Sequence, residues 1–142
     1  MSFQPLSIEM PVRHLPVYRA EQLRVHHGVN EGEPLADATD LLLEDIYELA
    51  ENAQPVRLGL AAQDETGAFH IGADSATGVS GAPVYLDSLL TFMDNRGETH
   101  EVLVFVEVNA AEGTIAEVYA YPLAPLSPKL GYSLITIDTA KA

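Results

Sequence analysis

The stretch Glu98–Asp138 constrains the fold most, because it predicts three consecutive β-strands. Its first strand, Thr99–Val108, places four valines on one face and a leucine and a phenylalanine on the other. Apolar residues on both faces of a strand's middle are typical of a central strand that is covered on both sides. Glu101 and Glu107 end the second face, so we expect both ends of that face to be in water.

Two further strands follow along the chain. Residues 109–113 (N-A-A-E-G) form a turn cluster, and Thr114–Tyr121 then alternates small or apolar residues with larger ones. Pro122–Gly131 contains three prolines and a glycine, which predicts a loop. Tyr132–Asp138 (Y-S-L-I-T-I-D) is the third predicted strand.

The earlier part of the chain also reads as short strands separated by turns. Its predicted strands are Val17–His27, Pro55–Gln63, Ala68–Gly72 and Val84–Asp94. Seven or eight short strands with a turn every eight to twelve residues predict a mainly β fold, an antiparallel β-sandwich or barrel-like meander. We expect one β-rich domain over residues 1–142, with residues 1–16 as an extended N-terminal arm because Pro5, Pro11 and Pro16 oppose regular structure.

Residues 37–51 carry the one predicted helix, and the pattern there is ambiguous. Apolar residues from Leu35 to Ala53 recur at helical spacing, with acids between them, and Asp37 or Thr39 could cap the start. The run Leu41–Leu43 followed by Glu44–Tyr47 also fits a strand that turns a corner. The length without Gly or Pro favours the helix.

The charge balance excludes some partners. Twenty-one acidic residues and seven basic ones give a net charge of −14, which opposes binding to nucleic acids and to anionic membranes. The chain has no cysteine, hence no disulfide and no thiolate site. No stretch is long enough to span a bilayer, and no signal-peptide pattern opens the chain, so a cytoplasmic protein or one secreted without a classical signal is expected.

No catalytic motif, cofactor site or metal site emerges from the residue spacing. His26 and His27 are the most obvious pair, but adjacent residues of a strand point to opposite faces and cannot both ligate one ion without a bulge. His14, His70 and His100 are scattered. We therefore assign no catalytic, cofactor-binding or metal-ligating residue.

Three further features favour structural roles. The acids between Glu31 and Glu51 lack calcium-loop spacing and are interpreted as a solvated helix face. The loop 73–83 has neither a nucleophile elbow nor the lysine of a phosphate-binding loop, so its glycines are interpreted as turn residues. The six tyrosines are expected to be half-buried, each with its hydroxyl reaching solvent.

Five hydrophobic-pattern segments resemble the region that precedes the Hint (hedgehog/intein-type) autoprocessing domain in a group of marine alphaproteobacterial proteins. They are Asp45–Leu49, Leu86–Met93, Glu101–Glu107, Tyr121–Leu126 and Leu134–Asp138. The resemblance covers most of the chain and implies a β-rich accessory domain.

The Hint chemistry itself is not carried over. The Hint nucleophile is a Cys or Ser after the accessory region, and its Thr-x-x-His block has no counterpart here, since Thr91-Phe-Met ends on Asp94. The chain is therefore expected to be either the flanking domain alone or a stand-alone relative. The sequence favours a non-catalytic accessory or interaction domain that binds a protein partner or itself. The alternative is a small ligand- or metal-binding β-barrel protein or enzyme that uses His26 or His27 with nearby carboxylates.

Overall fold

The structure, a computed structural model, describes residues 12–27, 30–34, 43, 45–61, 65, 67–72, 75–109, 111–124, 126–127 and 130–139; for 12–13, 26–27 and 30–34 it describes the backbone alone. These residues form ten strands: β1 Val12–Arg19, β2 Leu23–His27, β3 Asn30–Pro34, β4 Ile46–Leu49, β5 Val56–Ala61, β6 Phe69–Ile71, β7 Pro83–Met93, β8 Thr99–Asn109, β9 Thr114–Pro122 and β10 Tyr132–Thr139. No helix among them is long and apolar enough to cross a membrane.

All strands belong to one antiparallel sheet in the order β3-β2-β4-β10-β7-β6-β5-β1-β9-β8. An additional pairing of β7 with β8 closes the last six strands into a barrel. The remaining strands β3, β2, β4 and β10 extend from β7, and we call them the wing. The predicted mainly β, antiparallel, barrel-like fold is therefore confirmed.

The barrel axis is occupied by side chains from all six of its strands. These residues, which we call the barrel core, are all buried: Leu15, Val17, Leu58, Leu60, Phe69, Ile71, Val84, Phe105 and Tyr119. Burying a side chain as large as that of Phe105 contributes about 1.5–3 kcal/mol. Phe69 and Phe105 meet edge to face with ring centroids 6.4 Å apart, a favoured aromatic geometry.

A second core, the wing core, lies on the other face of β8 and β9. The valines Val102, Val104 and Val106 of β8 pack there against residues of the wing such as Tyr47 and Leu134. Because Phe105 points into the barrel core, the middle of β8 is covered on both sides, as its alternation predicted.

Strand β7 joins the two parts of the sheet. Its first residues pair with β6, whereas Ser88–Met93 pair with β10. The pairing of β7 with β8 shifts register between Leu86 and Ser88, and such a bulge bends a strand. This irregularity lies where β7 passes from the barrel to the wing.

The helix predicted over residues 37–51 is wrong where the structure describes it. Ile46–Leu49 is strand β4, with Tyr47 and Leu49 buried and Ile46 and Glu48 exposed. Pairing with β2 on one side and β10 on the other overrides the helical spacing. Residues 35–42 and 44 lie outside the described residues.

The predicted arm also differs in part. Residues 1–11 lie outside the described residues, while residues 12–16 belong to β1 and pair with β5 as a wall of the barrel. Val17, Leu23 and Val25 are buried. However, a 3-10 turn at Ala20–Gln22 divides this stretch, sending β1 into the barrel and β2 into the wing.

Candidate functional site

A loop at residues 75–82 closes one end of the barrel. The Ala76 N–H donates to the Arg57 carbonyl (2.8 Å) and the Gly81 N–H donates to the Ile71 carbonyl (2.7 Å). The Ser75 hydroxyl oxygen accepts from the Gly59 N–H at 2.9 Å. These bonds attach the loop to β5 and β6, so it closes the barrel instead of merely connecting two strands.

The carboxylate of Glu107 is buried beneath this loop. Glu107 as a whole is only 2% exposed. Oε1 accepts a hydrogen bond from the Tyr119 hydroxyl (2.7 Å), and Oε2 accepts one from the Val79 N–H (3.1 Å). The expectation that Glu107 lies in water is thus wrong, because the loop covers the end of the face that Leu103 and Phe105 share with it.

The same network continues from Tyr119 to β1. The Thr77 hydroxyl lies 3.5 Å from the Tyr119 hydroxyl and accepts a hydrogen bond from Arg19 Nε at 3.2 Å. Burial raises the pKa of Tyr119 above its ordinary value near 10, the bond to Thr77 lowers it, and Glu107 raises it further. The phenol therefore stays protonated as the donor to Glu107, and we call Arg19, Thr77, Glu107 and Tyr119 the plug network.

A second polar cluster occupies the turn between β7 and β8. Asp94, whose side chain is fully buried, accepts through Oδ1 from the N–H groups of Arg96 (2.8 Å) and Glu98 (3.0 Å). Its Oδ2 accepts from His100 Nε2 at 2.8 Å and from Arg96 Nη2 at 3.3 Å. The hydrogen bond from His100 is the largest cause that holds the pKa of Asp94 well below its usual range.

This turn cluster also has the spacing of a metal site. Among the described residues, Asp94, Glu98 and His100 form the one group of three whose potential ligand atoms all lie within 4.8 Å of one another. The His100 ring packs edge to face on Tyr132, with centroids 5.1 Å apart. The cluster is therefore held from two sides, by backbone amides and by the wing core.

Tyr47 brings a third polar atom into the interior. Its side chain lies in the wing core, 4.9 Å from the Phe92 ring between centroids. Its hydroxyl is buried and has no hydrogen-bond partner among the described residues. Burial, and secondly the charge of Asp45, raise the pKa of Tyr47.

Tyr47, Tyr119 and Tyr132 are all fully buried, so the expectation that every tyrosine is half-buried is wrong for these three.

The raised pKa values predict a loss of stability in alkali. A group whose pKa is higher in the folded state stabilises the fold below its unfolded pKa, near 10, and this contribution is lost as pH rises above that value. We expect Tyr47 and Tyr119 to ionise together with unfolding. Phenolate absorbance and far-ultraviolet circular dichroism, followed against pH, should show at least two of the six tyrosines titrating together with the loss of structure. Complete ionisation of all six in a folded protein would contradict this.

The residues that the sequence singled out do not assemble as the alternative hypothesis requires. His26 and His27 lie in β2, where His26 is paired with Ile46, but their side chains lie outside the described part of the structure. His14 and His70 lie on β1 and β6, away from the turn that holds His100. Of the acids between Glu31 and Glu51, Glu31 and Glu33 lie in strand β3 and Glu48 lies in strand β4, so the interpretation as a solvated helix face is wrong for these three.

Sequence reasoning missed both polar clusters, although signals for them exist. Glu107 has the same parity as Leu103 and Phe105, which places it on the barrel side of β8. The predicted strands Val84–Asp94 and Thr99–Val108 leave only a short turn between them, which implies the observed pairing of Met93 with Thr99. That register brings Asp94 and His100 to the same end of the hairpin.

Comparison of the chain with protein-family models, with curated proteins and with solved structures finds no match. The resemblance to the region preceding Hint domains therefore stays a hypothesis from the sequence.

Proposed function

We propose that this protein is a non-catalytic interaction domain that binds another protein through the outer face of the wing and of the adjoining half of β7. The observation that carries the proposal is a group of exposed apolar residues on neighbouring strands. Ile46 of β4 and Met93 of β7 both pair with Ser133 of β10, so they lie on either side of Ser133 in one line across the sheet. Ile135 lies two residues after Ser133 in β10. We call the three apolar residues Ile46, Met93 and Ile135 the apolar row; each is 38–40% exposed.

The geometry of the sheet supports a binding face at this place. Residues directly opposite one another on paired strands point to the same side, and Tyr47 and Phe92, which flank the row in sequence, point inward to the wing core. Ile135 adds to the row at the irregularity in β10 between Leu134 and Thr136. Apolar side chains gathered on one exposed face are typical of interaction surfaces.

The polar clusters support a binding role over catalysis. Both oxygens of Glu107 and both of Asp94 accept hydrogen bonds from groups of this chain, and the barrel axis is filled by the barrel core. A carboxylate that is already satisfied inside the fold stabilises structure. With the Hint resemblance, these features favour an accessory domain beside a larger protein.

The charge of the chain defines the partner class. Exposed acids lie on the same face as the apolar row: Glu48 is two residues after Ile46, and Glu101 pairs with Thr91, two residues before Met93. With a net charge of −14, this face fits a partner with an apolar centre and a basic rim.

We expect a single acidic substitution in the apolar row to abolish partner binding. Met93→Asp places a charge within the row, where its desolvation on binding is unfavourable. Ile115→Asp, at an exposed apolar position of β9, is the matched control with the same charge change. Cross-linking in extracts of the native source, followed by mass spectrometry, should identify a basic protein retained by the wild type and the control but lost with Met93→Asp. Retention by all three proteins would refute the proposal, as would the absence of any cross-linked protein.

Self-association is the variant of this proposal in which a second copy covers the row. Sedimentation velocity distinguishes self-association from binding to another protein. A dimer that dissociates in the Met93→Asp variant and persists in the Ile115→Asp variant would assign the row to homodimerisation.

The alternative of a ligand- or metal-binding barrel centred on His26 or His27 stays a prediction. The observation that favours metal binding concerns another histidine, His100.

A further inference from the structure

The turn between β7 and β8 carries donors of a kind that bind transition metals. One imidazole nitrogen, that of His100, and carboxylate oxygens of Asp94 and Glu98 lie within 4.8 Å of one another. Zinc is bound by imidazole nitrogen and carboxylate oxygen at about 2.0–2.2 Å, so neighbouring ligand atoms around a tetrahedral ion are roughly 3.4 Å apart. The 2.8 Å between His100 Nε2 and Asp94 Oδ2 is a hydrogen-bond distance, so the ion would replace the Nε2 proton and the two atoms would move apart by roughly 0.6 Å.

Two of the three donors are already fixed in place. The Oδ1 atom of Asp94 is held by two backbone N–H groups, which directs Oδ2 toward His100. The His100 ring is fixed by Tyr132, and its side chain is only 14% exposed. Partners of this kind orient metal ligands in known sites. Glu98 is exposed and completes the set by a side-chain rotation.

A positive charge of the chain lies between the two carboxylates. Arg96 Nη2 is 3.3 Å from Asp94 Oδ2 and 3.5 Å from Glu98 Oε1. A cation bridging these oxygens would take the same place. The Arg96 side chain is 62% exposed, so it can turn into solvent without disturbing the core. Exposed ion pairs of this kind are weak, which makes the guanidinium displaceable.

We propose that Asp94, Glu98 and His100 bind one Zn²⁺ ion and that Arg96 competes with the metal for the two carboxylates. The imidazole favours zinc over calcium or magnesium, which prefer all-oxygen sites. The proposal is independent of the apolar row, although the site adjoins it, since Asp94 follows Met93 and His100 follows Thr99 in the hairpin. Zinc would then fasten the hairpin end next to the binding face.

Isothermal titration of the full chain with Zn²⁺ alone, after chelator treatment, tests the proposal. We expect one ion per chain. Glu98→Gln and His100→Gln should each weaken binding by about tenfold or more, as loss of a ligand does. Arg96→Met should tighten it by about two- to fivefold, the range that an exposed ion pair contributes. Since Glu98 is exposed, its variant tests the site without endangering the fold.

The double variant His26→Gln/His27→Gln is the matched control, because it removes the adjacent histidines and leaves the turn intact. Unchanged zinc affinity in this variant supports the assignment. Loss of zinc binding in this double variant overturns the assignment. So does a wild-type dissociation constant for zinc above about 1 mM. Zinc affinity that is unchanged by Glu98→Gln and His100→Gln also overturns it. Zinc should also raise the melting temperature of the wild type progressively as its free concentration rises above the dissociation constant, and should do so much less for Glu98→Gln.

Discussion

Replacing Gly78 with alanine is expected to lower the free energy of unfolding by about 2–5 kcal/mol. Gly78 lies in the loop that closes the barrel, with a φ of +86°. A Cβ atom there would collide with Ile71 Cδ1, approach Glu107 Oε1 at 2.9 Å and Tyr119 Oη at 3.2 Å. Because Glu107 and Tyr119 are fixed by their mutual hydrogen bond, neither can retreat without breaking the plug network.

The matched control for this prediction is Gly81→Ala in the same loop. Gly81 has the same φ of +86°, but a Cβ atom there would meet nothing within 4 Å. Its substitution therefore costs only the unfavourable backbone conformation, about 1–2 kcal/mol. Urea unfolding of both variants gives the difference, which measures the packing of the loop on the network. Equal losses for the two variants would show that the loop does not press on Glu107 and Tyr119.

The strand pattern was predictable because each strand keeps its own alternation. In β8, valines on one face and Leu103 with Phe105 on the other sufficed to predict a strand covered on both sides. In β4, Ile46 and Leu49 fit the helical spacing equally well, and pairing with β2 and β10 determines the outcome. Those partners are distant in sequence, so the local pattern could not show them.

The plug network was not predictable, because it depends on a segment that comes from elsewhere in the chain. Glu107 ends an otherwise apolar face, and a charge at a strand end is usually in water. The residues that bury it, Thr77, Gly78 and Val79, precede it by about thirty positions and resemble a simple linking loop. The turn cluster, by contrast, follows from the register of one hairpin and could have been anticipated.

The second large effect is expected in the buried bond between Tyr119 and Glu107. Tyr119→Phe removes the hydroxyl that donates to Oε1 and leaves the carboxylate with the Val79 N–H as its donor. A buried hydrogen bond to a charged group contributes about 1.5–3 kcal/mol, and we expect a loss in that range from urea unfolding. Tyr121→Phe, two residues along the same strand and only partly buried, is the control and should change stability by about 0.5 kcal/mol or less.

A double-mutant cycle distinguishes a specific bond from general damage to the barrel. Glu107→Met alone leaves the Tyr119 hydroxyl and the Val79 N–H buried without the carboxylate, which is costly. Adding Tyr119→Phe to this variant removes the Tyr119 hydroxyl, whose acceptor is already gone. Tyr119→Phe should therefore lower the free energy of unfolding much less in the Glu107→Met background than in the wild type. We expect a coupling energy of about 1–3 kcal/mol between the two positions. Additive losses would mean that Glu107 is stabilised by its surroundings as a whole and that Tyr119 contributes only its ring to the barrel core.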